Sequence, residues 1–182
     1  MTNRSNPAPR FPDSVVFSGW YAPSRVEADV HDLEVEGRIP DGLEGAYYKA
    51  SADPQYPPML GDGIYLDGDG MVSMVRLVNG RAHLKTRYVR TPRFLAERAA
   101  QRGLFGHYRN PYFDDPSVAG IRRGTANTAI GWHAGKLFAL KEDSPPMQID
   151  PVTLDTLGYH DFGGRLPHDT FTAHPKTDPE TG

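Results

Sequence analysis

The chain has 182 residues, a net charge of −3 with both signs interspersed, 38% hydrophobic residues and no cysteine. That length allows one domain with a core, while the missing cysteines exclude a disulfide framework or thiolate metal site and the absence of a basic excess argues against nucleic-acid binding. Nineteen glycines and 17 prolines disfavour long helices and favour short strands joined by turns; no apolar run reaches the roughly 18 residues of a membrane span, so a soluble, cytoplasmic, β-rich protein is expected.

Residues 1–32 read as an irregular arm, with Phe17, Trp20 and Tyr21 as expected anchors. The arm starts polar and Pro-rich with no apolar leader core, so the Asn3-Arg4-Ser5 sequon within it carries little weight. Leu33-Glu-Val-Glu-Gly-Arg-Ile39 alternates apolar and charged residues and predicts a half-buried strand, which Pro40-Asp-Gly42 turns. Gly45 to Tyr48 predicts another short strand, and Ala52 to Pro58 a loop. Met71–Val78 and Ala82–Arg90 flank Asn79-Gly80, a strong hairpin cue because both turn residues tolerate positive φ; in the second run Leu84, Thr86 and Tyr88 alternate with His83, Lys85 and Arg87, giving one buried and one wet face. Thr91-Pro92 opens a helix through Gln101, with Thr91 as cap, Pro92 in the first turn and Gly103 at the stop; Phe94, Leu95 and Ala99 are its expected inner face. An aromatic-rich loop covers 104–117. Strands are then expected at about 125–132, 136–141, 146–149 and 156–161, separated by the turns His133–Lys136, Asp143–Pro146 and Asp150–Thr153. Four short strands at this spacing predict one antiparallel sheet of the kind repeated in propellers.

Asp67-Gly-Asp-Gly70 lacks the third ligand and closing Glu of a calcium loop and reads as a tight turn. No nucleophile elbow, P-loop, zincin or dinucleotide motif occurs. His133 and His160 fall at a turn and a strand end, where a structural role suffices, and His168 beside Asp169 reads as a solvated loop pair. His174 precedes Pro175 and is therefore kept out of the helical region. Alternation in an extended segment would put Thr172 and His174 on one face and Phe171 and Ala173 on the other. Spacing alone leaves open whether His174 is a metal ligand or a loop residue. Lys141 ends the apolar strand Leu137–Leu140. It either snorkels to the surface or, with Tyr108, holds a phenolic hydroxyl in a half-buried pocket, where desolvation would lower its pKa.

Several stretches resemble the carotenoid cleavage oxygenases, in the order found there: Tyr65–Met71, Arg87–Thr91, Gly124–Thr128, His133–Lys136 and Phe171–Lys176. Leu104–Pro111, Asp114–Ser117 and Ala139–Pro146 resemble more narrowly the lignostilbene (stilbenoid) dioxygenase branch. The resemblance covers residues 33–182 and implies an all-β fold, the N-terminal part of a seven-bladed β-propeller with a short helix in its cap. It implies a non-haem Fe(II) enzyme that cleaves the interphenyl double bond of a 4-hydroxystilbenoid, an aromatic alkene, with O2 into two aldehydes. By that resemblance His174 is the first of four histidine ligands to iron, Tyr108 and Lys141 bind the substrate 4-hydroxyl, and Tyr65 adds an aromatic wall. The chain is under half the family length, so the other ligands are expected beyond Gly182 and the isolated chain is expected to be inactive. Carotenoid or apocarotenoid cleavage is the alternative within the family; a non-enzymatic β-rich fragment is the alternative outside it.

Overall fold

The structure, a computed structural model, describes residues 10–181; the start of the arm, with its sequon, lies outside the described residues. β1 (Ala28–Val30), β2 (Gly45–Ala52), β3 (Gly70–Val78) and β4 (Arg81–Tyr88) form an antiparallel sheet in the order β1-β4-β3-β2. β5 (Ala129–His133), β6 (Lys136–Leu140), β7 (Met147–Ile149) and β8 (Thr156–Tyr159) form a second antiparallel sheet in sequence order. α1 (Pro92–Ala100) is the helix between them. The fold is β-dominant, with two four-stranded sheets as the turn-rich composition requires.

The turns are local chemistry. Asn79 and Gly80 adopt φ of 50° and 70°, and Val78 faces Arg81 across the hairpin. Ala134 and Gly135 do the same at 48° and 74° between β5 and β6. Between β7 and β8, Asp150 Oδ1 accepts the backbone N–H groups of Val152 and Thr153, both at 2.8 Å. Thr91 Oγ1 accepts Phe94 N–H at 3.1 Å and caps α1.

Five expectations are corrected. Residues 33–39 form no strand: Leu33 N–H still reaches Ala82 O at 2.8 Å, but left-handed Asp32 and Gly37 turn the chain away from the sheet edge. The arm is not held by Trp20, which is fully exposed; Asp53 holds it by accepting from the Ser24 hydroxyl and from the backbone N–H groups of Ser24 and Arg25. α1 ends on left-handed Gln101, not at Gly103. Gly103 serves a close approach instead, since a Cβ there would sit 2.8 Å from Pro57 O. The inner face of α1 is Arg93, Phe94 and Glu97, with Leu95 and Ala99 exposed. Positions 93, 94 and 97 share one helical face, and the ion pair between the two charged members lets that face turn inward. On β4 only Ala82 and Tyr88 are buried, and the residues between them are half-buried on both faces, Lys85 and Arg87 being drawn onto Asp29 of β1 on the expected wet side.

One core joins the sheets. Val72 and Met74 of β3 pack with Leu137 and Ala139 of β6 and Met147 and Ile149 of β7, along with Val89, Ala126 and Leu154. Full burial of each such aliphatic side chain contributes roughly 1.5–3 kcal/mol relative to exposure. Polar links cross the same seam: Gly70 N–H to Thr125 O at 2.9 Å, Arg90 N–H to Thr156 Oγ1 at 2.8 Å, and Tyr48 Oη to Pro151 O at 2.7 Å. Gly70 is obligatory here, because a Cβ would lie 2.4 Å from Ala126 O. The seam fixes the turn before β3 against the segment leading into β5, and the candidate site is built on these two.

Candidate functional site: a buried lysine beneath a tyrosine

β6 is buried from Leu137 to Leu140, and the next residue, Lys141, continues inward to 1% exposure. Its Nζ lies 4.5 Å from the centroid of the Tyr108 ring, where the negative face of the ring attracts a cation. The Nζ also donates to Leu66 O, at a long 3.4 Å. Burial lowers the Lys141 pKa, while Glu142, Asp143 and Asp67 oppose that shift. The Leu66 carbonyl is aimed by Asn127, whose Nδ2 donates to Leu66 O at 3.0 Å and to Gly68 O at 2.7 Å.

Tyr108 sits on a loop rather than a strand, and Arg123 holds that loop. The guanidinium donates to both oxygens of Asp114, at 2.7 and 2.9 Å, and to the carbonyls of His107 and Asn110 at 2.9 and 3.2 Å. Buried Leu104, Phe105 and Val118 seat the loop's two ends. Tyr108 Oη donates to Glu142 Oε1 at 2.5 Å. Burial, and then that carboxylate, push the phenol pKa up; the same hydrogen bond holds Glu142 below the usual carboxylate range. The Tyr108 proton is therefore committed to Glu142, and its oxygen lone pairs remain available. Such an oxygen can accept from a phenolic hydroxyl, and the buried ammonium beside it can hold the phenolate form.

Tyr65 packs edge-on against Tyr21, with ring centroids 5.3 Å apart, and is partly exposed. The group from its turn that reaches Lys141 is the carbonyl of the next residue, Leu66. His174 is exposed and its neighbour Ala173 is buried, with Phe171 half-buried and Thr172 exposed, as the alternation predicts. The chain bends there, and His174 N–H donates to Thr172 Oγ1 at 3.1 Å. Phe171 stacks on Phe162, and Phe162 on Phe138 and His160, with centroids 5.6, 5.8 and 4.9 Å apart. This aromatic ladder anchors the His174 segment to β6. Tyr108, Lys141 and Glu142 are brought into contact, while His174 acts on Glu142 only as the smallest of the charges that lower its pKa. His160 has a packing role, His133 and His168 are exposed, and Asp169 pairs with Arg122 at 2.8 Å rather than orienting His168.

Sequence reasoning did not single out Glu142, Asn127 or Arg123. Glu142 follows Lys141 directly, and Asn127 lies within the Gly124–Thr128 motif; each acts through contacts more than 30 residues away in the chain, which spacing does not reveal. As a metal centre the described residues are incomplete. No group of three or more His, Cys, Asp or Glu among them is placed to hold a metal ion. His174 offers one open imidazole and not a site.

Residues 21–182 match the family described as RPE65, retinal pigment epithelial membrane protein. The chain belongs to this family, the carotenoid cleavage oxygenases. The chain is 50% identical over 179 residues to resveratrol cleavage oxygenase 1 of Chaetomium globosum, covering 98% of this chain and 30% of that protein. It is 49% identical over 172 residues to lignostilbene-alpha,beta-dioxygenase isozyme III of Sphingomonas paucimobilis, covering 94% and 35%. The crystal structure of Pseudomonas brassicacearum lignostilbene dioxygenase superposes with a TM-score of 0.91 at 50% identity, over 95% of this chain and 36% of that one. The chain thus spans about a third of the length of the relatives it matches. No helix among the described residues is long and apolar enough to cross a membrane.

Proposed function

We propose that this chain is part of a non-haem Fe(II) dioxygenase that cleaves the interphenyl double bond of lignostilbene-type 4-hydroxystilbenoids. One O2 is consumed, and each of the two aldehyde products takes one of its oxygen atoms. The two sheets are read as parts of a seven-bladed propeller, with α1 in its cap and residues 1–32 as an arm whose last part, β1, joins the first sheet. The carrying observation is Lys141, buried at the end of β6 with its ammonium against the Tyr108 ring, in a chain whose relatives are named for lignostilbene and resveratrol cleavage.

In this reading Tyr108 and Lys141 grip the substrate 4-hydroxyl. The ammonium stabilises the phenolate form, and a phenolate directs electron density along the conjugated system toward the alkene. Glu142 keeps the Tyr108 hydrogen turned away, so its oxygen accepts from the substrate hydroxyl while that hydroxyl is neutral, and the phenolate form is held by the Lys141 ammonium alone. Tyr65 contributes an aromatic wall at the edge of the pocket. His174 gives one imidazole to iron, the metal that activates O2 in this chemistry.

The test is aldehyde formation from a 4-hydroxystilbene by the gene product supplied with Fe(II), with 18O2 expected to label both aldehydes. Lys141→Ala is expected to reduce turnover of the 4-hydroxy substrate far more than that of its 4-methoxy ether. Absence of cleavage by folded, iron-loaded protein refutes the substrate class, and equal loss on both substrates refutes the role of Lys141.

A further inference from the structure

The site leaves one feature unexplained. Lys141 is buried, yet among the described residues it forms no direct ion pair, and its hydrogen bond to Leu66 O is long at 3.4 Å. An ammonium removed from water loses several kcal/mol of hydration unless charge or hydrogen bonds replace it. An unsupported lysine in such a place loses its proton, and a neutral amine cannot stabilise a phenolate. Two further buried atoms stand without partners in the same neighbourhood. Asp67 Oδ1 and Asp143 Oδ1 both lack a hydrogen-bond partner, and both carboxylates act on Lys141 in the direction that retains its proton.

We propose that Asp67 and Asp143 are positioning residues that hold Lys141 as an ammonium in the phenol pocket. They approach from two different segments. Asp67 lies in the turn that leads into β3, and Asp143 in the turn that follows β6. Asp67 is fixed by its other oxygen, which accepts Ile64 N–H at 3.1 Å. Asp143 is placed beside Gly124, where an added Cβ would come within 3.4 Å of its Oδ1. The remaining charged groups around Lys141 do not replace them. Glu142 is committed to the Tyr108 hydroxyl. Arg93 on α1 opposes the ammonium and is itself supported as a cation by Asp67, and Arg123 counters the burial of Asp143. The result is an alternation of charge running from Lys141 through Asp67 to Arg93 and Glu97. The tight turn read from Asp67-Gly-Asp-Gly70 thereby acquires an electrostatic role: Asp67 supports the lysine while Asp69 anchors Gln55.

The inference rests on the reading of Lys141 as the phenol-binding ammonium, and the experiment separates the two. Competitive acetylation of the gene product with acetic anhydride, followed at the Lys141 peptide by mass spectrometry across a pH series, reports where the amine becomes neutral. Asp67→Asn and Asp143→Asn are each expected to move that midpoint to lower pH. In the same variants, binding of a 4-hydroxystilbene above the shifted midpoint is expected to weaken by about tenfold, the size expected from loss of a nearby opposite charge, while binding of the 4-methoxy ether is unchanged. A midpoint that stays in place in both folded variants overturns the proposal. So does wild-type protein in which Lys141 is already fully reactive at neutral pH, a measurement that needs no variant to fold. If Lys141→Met leaves the preference for hydroxy over methoxy unchanged, the phenol-binding reading itself fails. An intact preference with unmoved midpoints removes only the two aspartates.

Discussion

Beneath α1, buried carboxylates fasten backbone loops, whereas at the end of β6 a lysine is buried with one long hydrogen bond. In the first region Glu97 Oε1 accepts Leu104 N–H and Phe105 N–H at 2.9 and 3.3 Å, and its other oxygen faces Arg93 at 3.6 Å. Asp69 accepts Gln55 N–H at 3.0 Å, and the Gln55 side chain joins Phe94 O to Arg98, both at 2.9 Å. Asp53 gathers the arm and the Tyr88 hydroxyl. Each of these groups fastens a loop that has no strand to pair with, so the charge is part of the fold. Lys141 fastens nothing of that kind. Burial at one site completes backbone hydrogen bonding; at the other it leaves donor capacity open toward Tyr108. The second pattern is the one expected of a binding group.

The largest effect should follow from breaking the first region. Glu97→Ala leaves two buried backbone N–H groups and the Arg93 guanidinium without their acceptor, and unfolding stability should fall by about 3–5 kcal/mol. Denaturant titration of Glu97→Ala and Glu97→Gln measures this, with the amide variant expected to retain part of the loss because it still accepts a hydrogen bond. A fall below about 1 kcal/mol for the alanine variant would put Glu97 in the same class as Lys141 and dissolve the contrast.

The complementary experiment is Lys141→Met, which keeps the length and apolar stem and removes the charge. With no direct ion pair to break, its loss of stability should be smaller than that of Glu97→Ala, although Asp67 and Asp143 lose the charge they face. Turnover of a 4-hydroxystilbene should drop about 100-fold, the usual consequence of removing one preorganised charge from the reacting region. Steady-state kinetics beside a thermal melt reads both. Loss of stability as large as that of Glu97→Ala would make Lys141 a structural residue.

What the sequence disclosed follows the range over which each signal acts. The Asn79-Gly80 hairpin, the Thr91 cap and the four strands of the second sheet are local, and they lie where composition and spacing put them. The supposed strand at 33–39 had the right alternation, but left-handed Asp32 and Gly37 turn the chain away from the sheet edge that Leu33 N–H still reaches. The inner face of α1 was misjudged because hydrophobicity points to Leu95, while a buried ion pair points to Arg93 and Glu97. At the site, Tyr108, Lys141 and His174 were reached through motif resemblance. The supporting residues were not: Glu142, Asn127 and Arg123 act through hydrogen bonds to other segments, whose partners only the fold brings near.

A smaller effect, with a definite sign, tests how completely the region beneath α1 is neutralised. Burial raises the Asp69 pKa from 3.8 to about 7, and the nearby Glu97 charge adds to the shift. Between those two values Asp69 is protonated in the folded chain and ionised in the unfolded one. The folded state then binds the extra proton, so this group's contribution to stability declines as pH rises through the window and is fully lost above about pH 7. Asp69→Asn stays neutral throughout and still offers an oxygen to Gln55 N–H. The variant should therefore gain on wild type steadily as the pH rises across the window. Urea unfolding of both proteins at a series of pH values reads the difference directly. A difference that does not vary with pH would mean that Asp69 keeps its charge in the fold. Arg93 would then be neutralising Asp69 as well as Glu97, and the alternation of charge that reaches Lys141 through Asp67 would begin from a more strongly compensated arginine.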